Sequence, residues 1–223
     1  MPRMARLVVI GYPHHVTQRG NRRQLTFFDD ADYATYIKVL TEMKAKTGVE
    51  IWAYCLMPNH VHFVAVPPKH NSFAKFFGTA HHRYARKINK AHGWQGHLWQ
   101  ERFHSFVMDE RHLIATVRYV ELNPVRAGLC VQAHDWRWSS VHAHLYDAVD
   151  DLVSVAPMRE LIPDWRRFLA TDDDVELGTL RKHTSTGYPT GDQDFITKLE
   201  VSTGRCLRRR KRGRPKKDLN KGT

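Results

Sequence analysis

The feature that most constrains the fold is a pair of apolar, strand-like segments separated by only three residues. Residues 49–56 and 60–66 are rich in β-branched and aromatic side chains, and Met57-Pro58-Asn59 between them is typical of a tight turn. Pro67-Pro68 ends the second segment, because proline cannot donate a hydrogen bond to a sheet. The two segments therefore predict a β-hairpin around which the rest of the chain must be arranged.

Helical and strand patterns flank this hairpin on both sides. A short strand is predicted at residues 14–19, and apolar residues at helical spacing predict a helix at about residues 30–47. A second helix is predicted to begin at Ser72, and the aromatic-rich residues 93–108 predict a strand or hairpin. The order is that of a split βαβ motif, so we expect an α+β, ferredoxin-like antiparallel sheet with helices on one face.

A third helix is predicted from Glu110 to about Leu122, with Asp109 as its cap and Asn123-Pro124 at its end. At about 100° per residue, Leu113, Val117 and Val120 form an apolar stripe. The same spacing gathers a polar set on what we expect to be nearly the opposite face: His112, Thr116, Tyr119 and Asn123. Tyr119 is then not placed like a core tyrosine, although a packed tyrosine with a satisfied hydroxyl remains an alternative.

His60-Val61-His62 begins the second strand of the hairpin. Alternate residues of a strand point to one face, so both imidazoles can reach a single ion. The chain contains 15 histidines, so structural use of this pair is an equally open interpretation.

The charge of the chain is divided unevenly. The net charge of +12 consists of +9 over residues 1–146, −6 over 147–176, zero over 177–204 and +9 over 205–223. A basic body and a basic tail separated by an acidic stretch indicate a polyanionic partner, most simply nucleic acid.

Nine of the thirteen residues from Arg205 to Lys217 are basic, and none is acidic. Such a run is expected to stay disordered until it binds an anion. Residues 211–215 also resemble an AT-hook core, in which arginines enter a narrow minor groove, although a general phosphate clamp is equally open. Asp172-Asp173-Asp174 raises the hypothesis that the acidic stretch attracts the tail when DNA is absent, and a solubilising acidic linker is the alternative.

Apolar runs fall short of the ~18 residues that a membrane span needs. Cys55, Cys130 and Cys206 are few and far apart, which argues against a disulfide framework and fits a reducing cytosol. We expect a cytoplasmic, nucleoid-associated bacterial protein without membrane partners.

An ordered set of motifs resembles one family. His60-Val61-His62 after Met57-Pro58-Asn59, and Tyr119 within residues 118–129, resemble the single-tyrosine transposases of the His-hydrophobe-His superfamily. Further motifs are similar to the branch associated with repetitive extragenic palindromes (REPs) in bacteria: Gly96 to Phe103, Trp138-Ser139-Ser140, Thr186 to Pro189, and Arg212 to Pro215.

The resemblance implies an enzyme in which residues 1–146 form the transposase/endonuclease domain. Tyr119 is implied as the catalytic nucleophile, which forms a covalent 5′-phosphotyrosine link with single-stranded DNA. His60, His62 and, four residues after the tyrosine, Asn123 are implied as metal ligands. We expect Mg²⁺ or Mn²⁺ as the ion, although imidazole also suits Zn²⁺ or Ni²⁺. Residues 147–204 then form a C-terminal extension of helices and loops, and residues 205–223 a DNA-binding tail.

The implied partner is single-stranded DNA that carries a hairpin at a palindromic repeat, bound by a monomer or a homodimer. Candidate DNA contacts in the body are Arg19, Arg22, Arg23, Arg83, Arg86, Lys87, Trp99, Arg102 and Arg126. Candidate contacts in the tail are Arg208, Arg209, Arg210, Lys211, Arg212, Arg214, Lys216 and Lys217. Trp94, Trp99 and Phe103 are candidates for stacking on bases, with core packing as the alternative for at least two of them.

Two other functions remain open at this point. A metal-dependent nuclease would use His60, His62 and Asn123 to activate water, with Tyr119 in an ancillary role. A DNA-binding regulator would bind hairpins without cutting them.

Overall fold

A computed structural model of the chain describes residues 6–171 and 187–208. Its centre is a four-stranded antiparallel sheet in the order β2-β3-β1-β4. The strands are β1 (His14–Arg19), β2 (Glu50–Met57), β3 (His60–Val66) and β4 (His104–Val107). Helix α1 (Asp30–Thr47) joins β1 to β2, and helix α2 (Thr79–His92) lies between β3 and β4. The ferredoxin-like α+β prediction is confirmed.

The β2–β3 hairpin forms where the sequence predicts it. Within the hairpin, Met57 pairs with His60 and Cys55 pairs with His62. On the central strand β1, Thr17 pairs with His62 of β3 on one side and with His104 of β4 on the other. Of residues 93–108, only the four residues of β4 are regular strand. The residues before β4 run past the end of the sheet, where the Gln100 amide donates to the Arg19 carbonyl at 2.9 Å.

Helix α1 begins and ends at residues suited to those positions, and α2 ends at Gly93 with φ +65°. The Asp29 side chain accepts a hydrogen bond from the Asp32 amide at the start of α1, and Gly48 ends this helix with φ +67°. The predicted second helix begins with a π-helical turn at Ala74–Gly78, which runs directly into α2.

One face of the sheet is covered by α1 and α2 and is largely apolar, with the buried polar side chains of His14, Gln18 and Ser105 among its strand residues. Val16 and Phe63 lie opposite each other on β1 and β3 and point to this side. They belong to a cluster of fully buried side chains that includes Tyr36, Leu40, Phe76, Phe77 and Tyr84. Burial of so much aromatic surface makes this face the main hydrophobic core.

The other face is covered by helix α3 (Glu110–Glu121), which is followed by the short α4 (Asn123–Arg126). Its buried residues Leu113, Val117 and Val120 pack on strand residues that include Ala53, Cys55, Val64 and Phe106. The Asp109 carboxylate caps α3 by accepting from the His112 amide at 2.9 Å. The helix that carries Tyr119 therefore lies on the face opposite α1 and α2.

A buried polar network ties α3 to the segment that follows. Glu121, at the end of α3, is fully buried and accepts from three donors, which are Ser140 Oγ at 2.7 Å, His144 Nδ1 at 2.6 Å and Trp165 Nε1 at 2.8 Å. Its partners lie on or beside α5 (Val141–Tyr146) and α7 (Trp165–Ala170), with α6 (Ala156–Leu161) between them. A buried carboxylate needs such donors, so the network fixes how these helices dock.

The last described helix, α8 (Gln193–Thr203), packs through Leu199 near the amino-terminal segment, in a small cluster with Leu7, Val9, Val107 and Leu207. None of the helices in the described ranges is both long and apolar enough to cross a membrane. Asp172-Asp173-Asp174, invoked in the inhibitory hypothesis, lies outside the described residues.

Candidate metal and tyrosine site

Strand alternation places the histidines of the predicted site under α3. Directly paired residues of antiparallel strands share a face, and Arg19 pairs with His60 while Thr17 pairs with His62. Cys55, which pairs with His62, belongs to the cluster under α3. The two imidazoles therefore sit on the α3 face, at the end of the sheet where β3 begins.

Tyr119 lies above this end of the sheet. Its ring centroid is 5.5 Å from that of His62 at an interplanar angle of 89°, and 6.3 Å from that of His15 at 82°. The side chain is half-buried. The apolar stripe of α3 sets this position, because it docks the helix on the sheet and thereby turns Tyr119 toward the histidines.

The expectation that the polar set of α3 lies nearly opposite its apolar stripe is wrong. Thr116 is fully buried and Asn123 is 8% exposed. At about 100° per residue these side chains lie roughly 90° from the centre of the stripe, so they flank the packed face. Thr116, Tyr119 and Asn123 consequently line the edge of the helix–sheet interface.

Several buried polar atoms at this edge have no hydrogen-bond partner among the described residues. They are His15 Nδ1, His62 Nε2, Thr116 Oγ1 and Asn123 Nδ2. Buried polar groups are nearly always hydrogen-bonded, so a cluster of exceptions indicates a site that binds something further.

Each histidine of the pair is held through its Nδ1 atom. His60 Nδ1 donates to Asn59 Oδ1 at 2.6 Å, and His62 Nδ1 lies 2.9 Å from His15 Nε2. If the His62 Nδ1–H donates to His15, both residues keep the lone pair of Nε2 for an ion. Partners that fix the tautomer and ring orientation in this way are characteristic of metal-binding histidines.

The surroundings favour neutral imidazoles. Burial, with a smaller contribution from Arg19, lowers the pKa of His60 to about 4. Burial also lowers the pKa of His62 well below its usual range, and His60, His15 and Arg19 add to this effect. A metal ligand must be deprotonated, so these shifts leave both side chains competent to bind an ion at neutral pH.

The side chains at this edge fit a divalent cation with few protein ligands. The ligands predicted from the sequence are the imidazoles of His60 and His62, whose Nε2 atom is buried without a partner in the described residues, and the buried amide of Asn123. Within the described ranges, no group of three or more His, Cys, Asp or Glu side chains could hold an ion, so water or phosphate oxygens would complete this set.

The basic candidates at the end of β1 and in the loop that follows it are exposed. Arg19, Arg22 and Arg23 all have exposed side chains, and Arg19 pairs with His60 in the sheet. Arg126 donates from Nη1 to the Tyr119 carbonyl at 3.4 Å, and its Cζ lies 5.6 Å from the Tyr119 ring centroid. Arg19 and Arg126 therefore place positive charge beside His60 and Tyr119.

The candidates on α2 have two different environments. Arg83 forms an ion pair with Glu42 at 2.7 Å, and Lys87 donates to Thr35, so both also tie α2 to α1. Arg86 and Arg102 are exposed and line a groove of about 680 Å³ between α2 and the loop before β4.

The three aromatic candidates separate clearly. Trp99 is 7% exposed and donates from Nε1 to the His81 carbonyl, and Phe103 is 6% exposed in the same cluster. Base stacking by Trp99 is therefore wrong, because its ring is already enclosed by the core. Trp94 is 43% exposed and forms a surface stack with His92 and Phe28.

Of the tail candidates, Arg208 lies within the described residues and pairs with Glu200 at 3.2 Å. The others lie outside the described residues: Arg209, Arg210, Lys211, Arg212, Arg214, Lys216 and Lys217.

The sequence interpretation missed three residues that organise the site. Asn59 and His15 hold the two histidines of the pair, and Glu121 anchors the end of α3. Asn59 could have been found as the polar residue directly before His60. His15 could have been found by aligning the face of β1 with that of β3, whereas nothing local distinguishes Glu121.

Comparison with known proteins defines the class. The chain belongs to the IS200-like transposase family, whose model, described as "Transposase IS200 like", matches residues 8–123. This match includes all four β-strands, helix α3 with Tyr119, and Asn123 at the start of α4.

The individual relatives share about a quarter of their residues or fewer with this chain. The chain is 25% identical over 128 residues to the REP-associated tyrosine transposase of Escherichia coli K12, a match that covers 57% of this chain and 73% of that protein. It is 25% identical over 104 residues to a putative REP-associated tyrosine transposase of Haemophilus influenzae Rd, covering 42% of this chain and 59% of that protein. The fold is similar to that of a solved REP-associated tyrosine transposase bound to a REP hairpin, with a TM-score of 0.54 and 22% identity over 69% of this chain and 92% of that one.

Proposed function

We propose that this transposase cuts and rejoins single-stranded DNA at hairpin-forming palindromic repeats through a covalent link to Tyr119. The observation that carries the proposal is the position of the Tyr119 ring, 5.5 Å from that of His62 and near buried polar atoms that have no partner among the described residues. This proximity supports Tyr119 as a nucleophile acting beside His60 and His62 as metal ligands.

In the proposed reaction, the Tyr119 oxygen attacks the phosphorus of a phosphodiester. The bond from phosphorus to the 3′ oxygen breaks, the 3′ oxygen leaves as a hydroxyl after taking a proton, and a 5′-phosphotyrosine remains. A phenol is a weak nucleophile at neutral pH and needs assistance. His60, His62 and Asn123 would hold Mg²⁺ or Mn²⁺, which polarises the phosphate when it is bound. The link preserves the energy of the phosphodiester, so a second strand can be joined in the reverse reaction without ATP.

The proposed substrate follows from the relatives and from the surface around the site. The two curated relatives are described as REP-associated, and the solved relative is bound to a REP hairpin. In this chain, Arg19 and Arg126 lie beside the tyrosine and the histidines, where they would contact the scissile strand. Exposed Arg86 and Arg102 would contact phosphates farther from the cut.

Trp94 supplies a surface for unpaired bases. Its ring centroid is 4.5 Å from that of His92 and 5.6 Å from that of Phe28, and both Trp94 and Phe28 are exposed. Stacking on aromatic rings tolerates any sequence, so this cluster would bind a single-stranded flank of the hairpin.

The test is to trap the covalent product. The native protein, incubated with Mn²⁺ and a labelled hairpin that carries single-stranded flanks, should give a protein–DNA adduct on a denaturing gel. Tyr119→Phe should give none while binding the hairpin with nearly native affinity. The matched control is Tyr146→Phe, which removes the hydroxyl of an exposed tyrosine on α5 and should still form the adduct.

The other functions give different results in this experiment. Cut DNA without an adduct, from both the native protein and Tyr119→Phe, would indicate the metal-dependent nuclease that activates water. Binding without any cutting by the native protein would indicate the hairpin-binding regulator.

A further inference from the structure

The loop between β1 and α1 contains an unusual turn. Arg22 and Arg23 are consecutive residues with φ of +52° and +64°, in the left-handed region that side chains other than glycine rarely adopt. Both side chains are exposed. Strained backbone of this kind persists only where the surroundings hold it, and it concentrates at functional sites.

The turn is held by the residues directly before His60. The Gly20 amide donates to the Asn59 carbonyl at 2.8 Å, and Asn59 Nδ2 donates to the Arg23 carbonyl at 3.1 Å. A Cβ atom at Gly20 would clash with the Gln24 carbonyl oxygen and the Thr26 side chain, so a larger residue there would force the turn to shift. The shape of the turn therefore depends on contact with Asn59.

The other end of the same amide holds the metal-ligand candidate. Asn59 Oδ1 accepts from His60 Nδ1 at 2.6 Å. Only one orientation of the amide satisfies both neighbours, because the Arg23 carbonyl requires a donor and the His60 N–H requires an acceptor. One side chain thus connects the backbone of the arginine turn to the ring of His60.

We infer that Asn59 is a positioning residue that couples DNA binding at the Arg22–Arg23 turn to metal binding at His60. Phosphates bound by the two arginines immobilise the turn, the turn fixes the amide of Asn59, and the amide fixes the tautomer and orientation of His60. By linkage the coupling is reciprocal, so the ion also strengthens DNA binding at the turn. The inference deepens the proposed function and rests on its assignment of His60 as a metal ligand.

The coupling can be measured without cutting. In a Tyr119→Phe background, the dissociation constant of Mn²⁺ is measured by titration calorimetry with the flanked hairpin at saturation. Replacing both arginines (Arg22→Ala with Arg23→Ala) should weaken Mn²⁺ binding about 5- to 20-fold, within the usual range of coupling between sites. In an Asn59→Ala background the same pair of replacements should change Mn²⁺ binding less than about 2-fold.

This double-mutant cycle separates the coupling from direct contact of a phosphate with the ion. Direct contact is present in both backgrounds and cancels in the comparison. The matched control replaces Arg86 and Arg102 with alanine, which removes the same charge from exposed positions without a bond to Asn59. Its effect on Mn²⁺ binding should be the same with and without Asn59.

Asn59→Asp separates the two ends of the side chain. Aspartate keeps an acceptor for His60 and loses the donor to Arg23, so it should bind Mn²⁺ without DNA but lose the effect of the arginine pair. If replacing both arginines weakened Mn²⁺ binding equally with Asn59 present and with Asn59→Ala, both in the Tyr119→Phe background, the inference would be overturned. The outcome is distinct from that of the adduct test, because Tyr119 could form an adduct without this coupling, and the coupling could exist in a protein that forms none.

Discussion

The two faces of the sheet use the same strands for different purposes. Phe63 and His62 are neighbours on β3, yet Phe63 points into the apolar layer under α1 and α2 while His62 points toward α3. The α1/α2 face buries mostly large rings, with His14, Gln18 and Ser105 as buried polar exceptions on its strands. The α3 face is apolar in its middle and polar at the end where β3 begins. A two-residue strand period thus separates the residues that stabilise the fold from those that form the site.

The sharpest test of this division is His60→Ala. We expect adduct formation to slow by at least about 10³-fold, because an ion that polarises the phosphate contributes several kcal/mol. The free energy of unfolding should change by less than about 1.5 kcal/mol, since the side chain lies at the edge of the packed region. Single-turnover gel assays and urea unfolding measure the two quantities, with exposed His97→Ala as the control. A large loss of stability would contradict the division.

Phe63→Ala is the converse change. Removal of a fully buried ring from the apolar face should lower the free energy of unfolding by about 3–5 kcal/mol, through lost burial and the cavity that remains. Urea unfolding measures this, and Phe28→Ala, which truncates an exposed ring, should cost less than about 1 kcal/mol. The rate of adduct formation per folded molecule should stay near the native value, and a collapse of that rate would show that the faces are not independent.

The apolar face should also give the protein a sensitivity to acid. His81 packs against Tyr36 and Trp99, and burial, helped by Arg6, lowers its pKa to about 3. Between about pH 3 and pH 6.5, the pKa values of His81 in the folded and unfolded states, the unfolded chain binds a proton at His81 that the folded protein does not. The free energy of unfolding is therefore unaffected by His81 above pH 6.5 and falls as the pH drops from 6.5 toward 3. In His81→Gln, the free energy of unfolding should fall less steeply as the pH is lowered in this range, and the slope should be smaller than the native slope by about 1.4 kcal/mol per pH unit. An unchanged slope would refute the assignment, and His97→Gln serves as the control.

The smallest expected effect concerns the surface beyond both faces. Trp94→Ala should weaken binding of a hairpin with a single-stranded flank by about 1–3 kcal/mol, because one stacked base loses its platform. Binding of a blunt hairpin should not change. Fluorescence anisotropy with both DNAs compares the two affinities, with exposed Tyr146→Ala as the control. Equal losses for both DNAs would place the contact on the duplex instead.

Much of the fold could be predicted because its signals are local. The hairpin at residues 49–66, helix α1 and helix α3 follow from periodicity, from turn residues and from caps such as Asp109. The His60–His62 pair and Tyr119 were also identified from spacing and family motifs. The core packing considered for at least two of Trp94, Trp99 and Phe103 holds for Trp99 and Phe103, whose rings are buried, so the DNA contact predicted for Trp99 is wrong. An aromatic-rich segment does not by itself show which of its rings reach the core.

The contacts that hold the site could not be predicted in the same way. Glu121 gives no local sign that Ser140, His144 and Trp165 would surround it, since these partners lie 19 to 44 positions away. The side-chain contact of His15 with His62 likewise depends on the register between β1 and β3, in which His15 lies opposite Val64.

The sequence by itself determined the order of strands and helices, the face of each strand residue and the basic character of the molecule, because these depend on neighbours in the chain. Only the tertiary structure decided that Tyr119 stands over His62, that His15 contacts His62 and that Asn59 joins His60 to the arginine turn. These arrangements depend on how α3 docks and how distant strands align. Many weak contacts across the whole molecule set both, and no single segment encodes them.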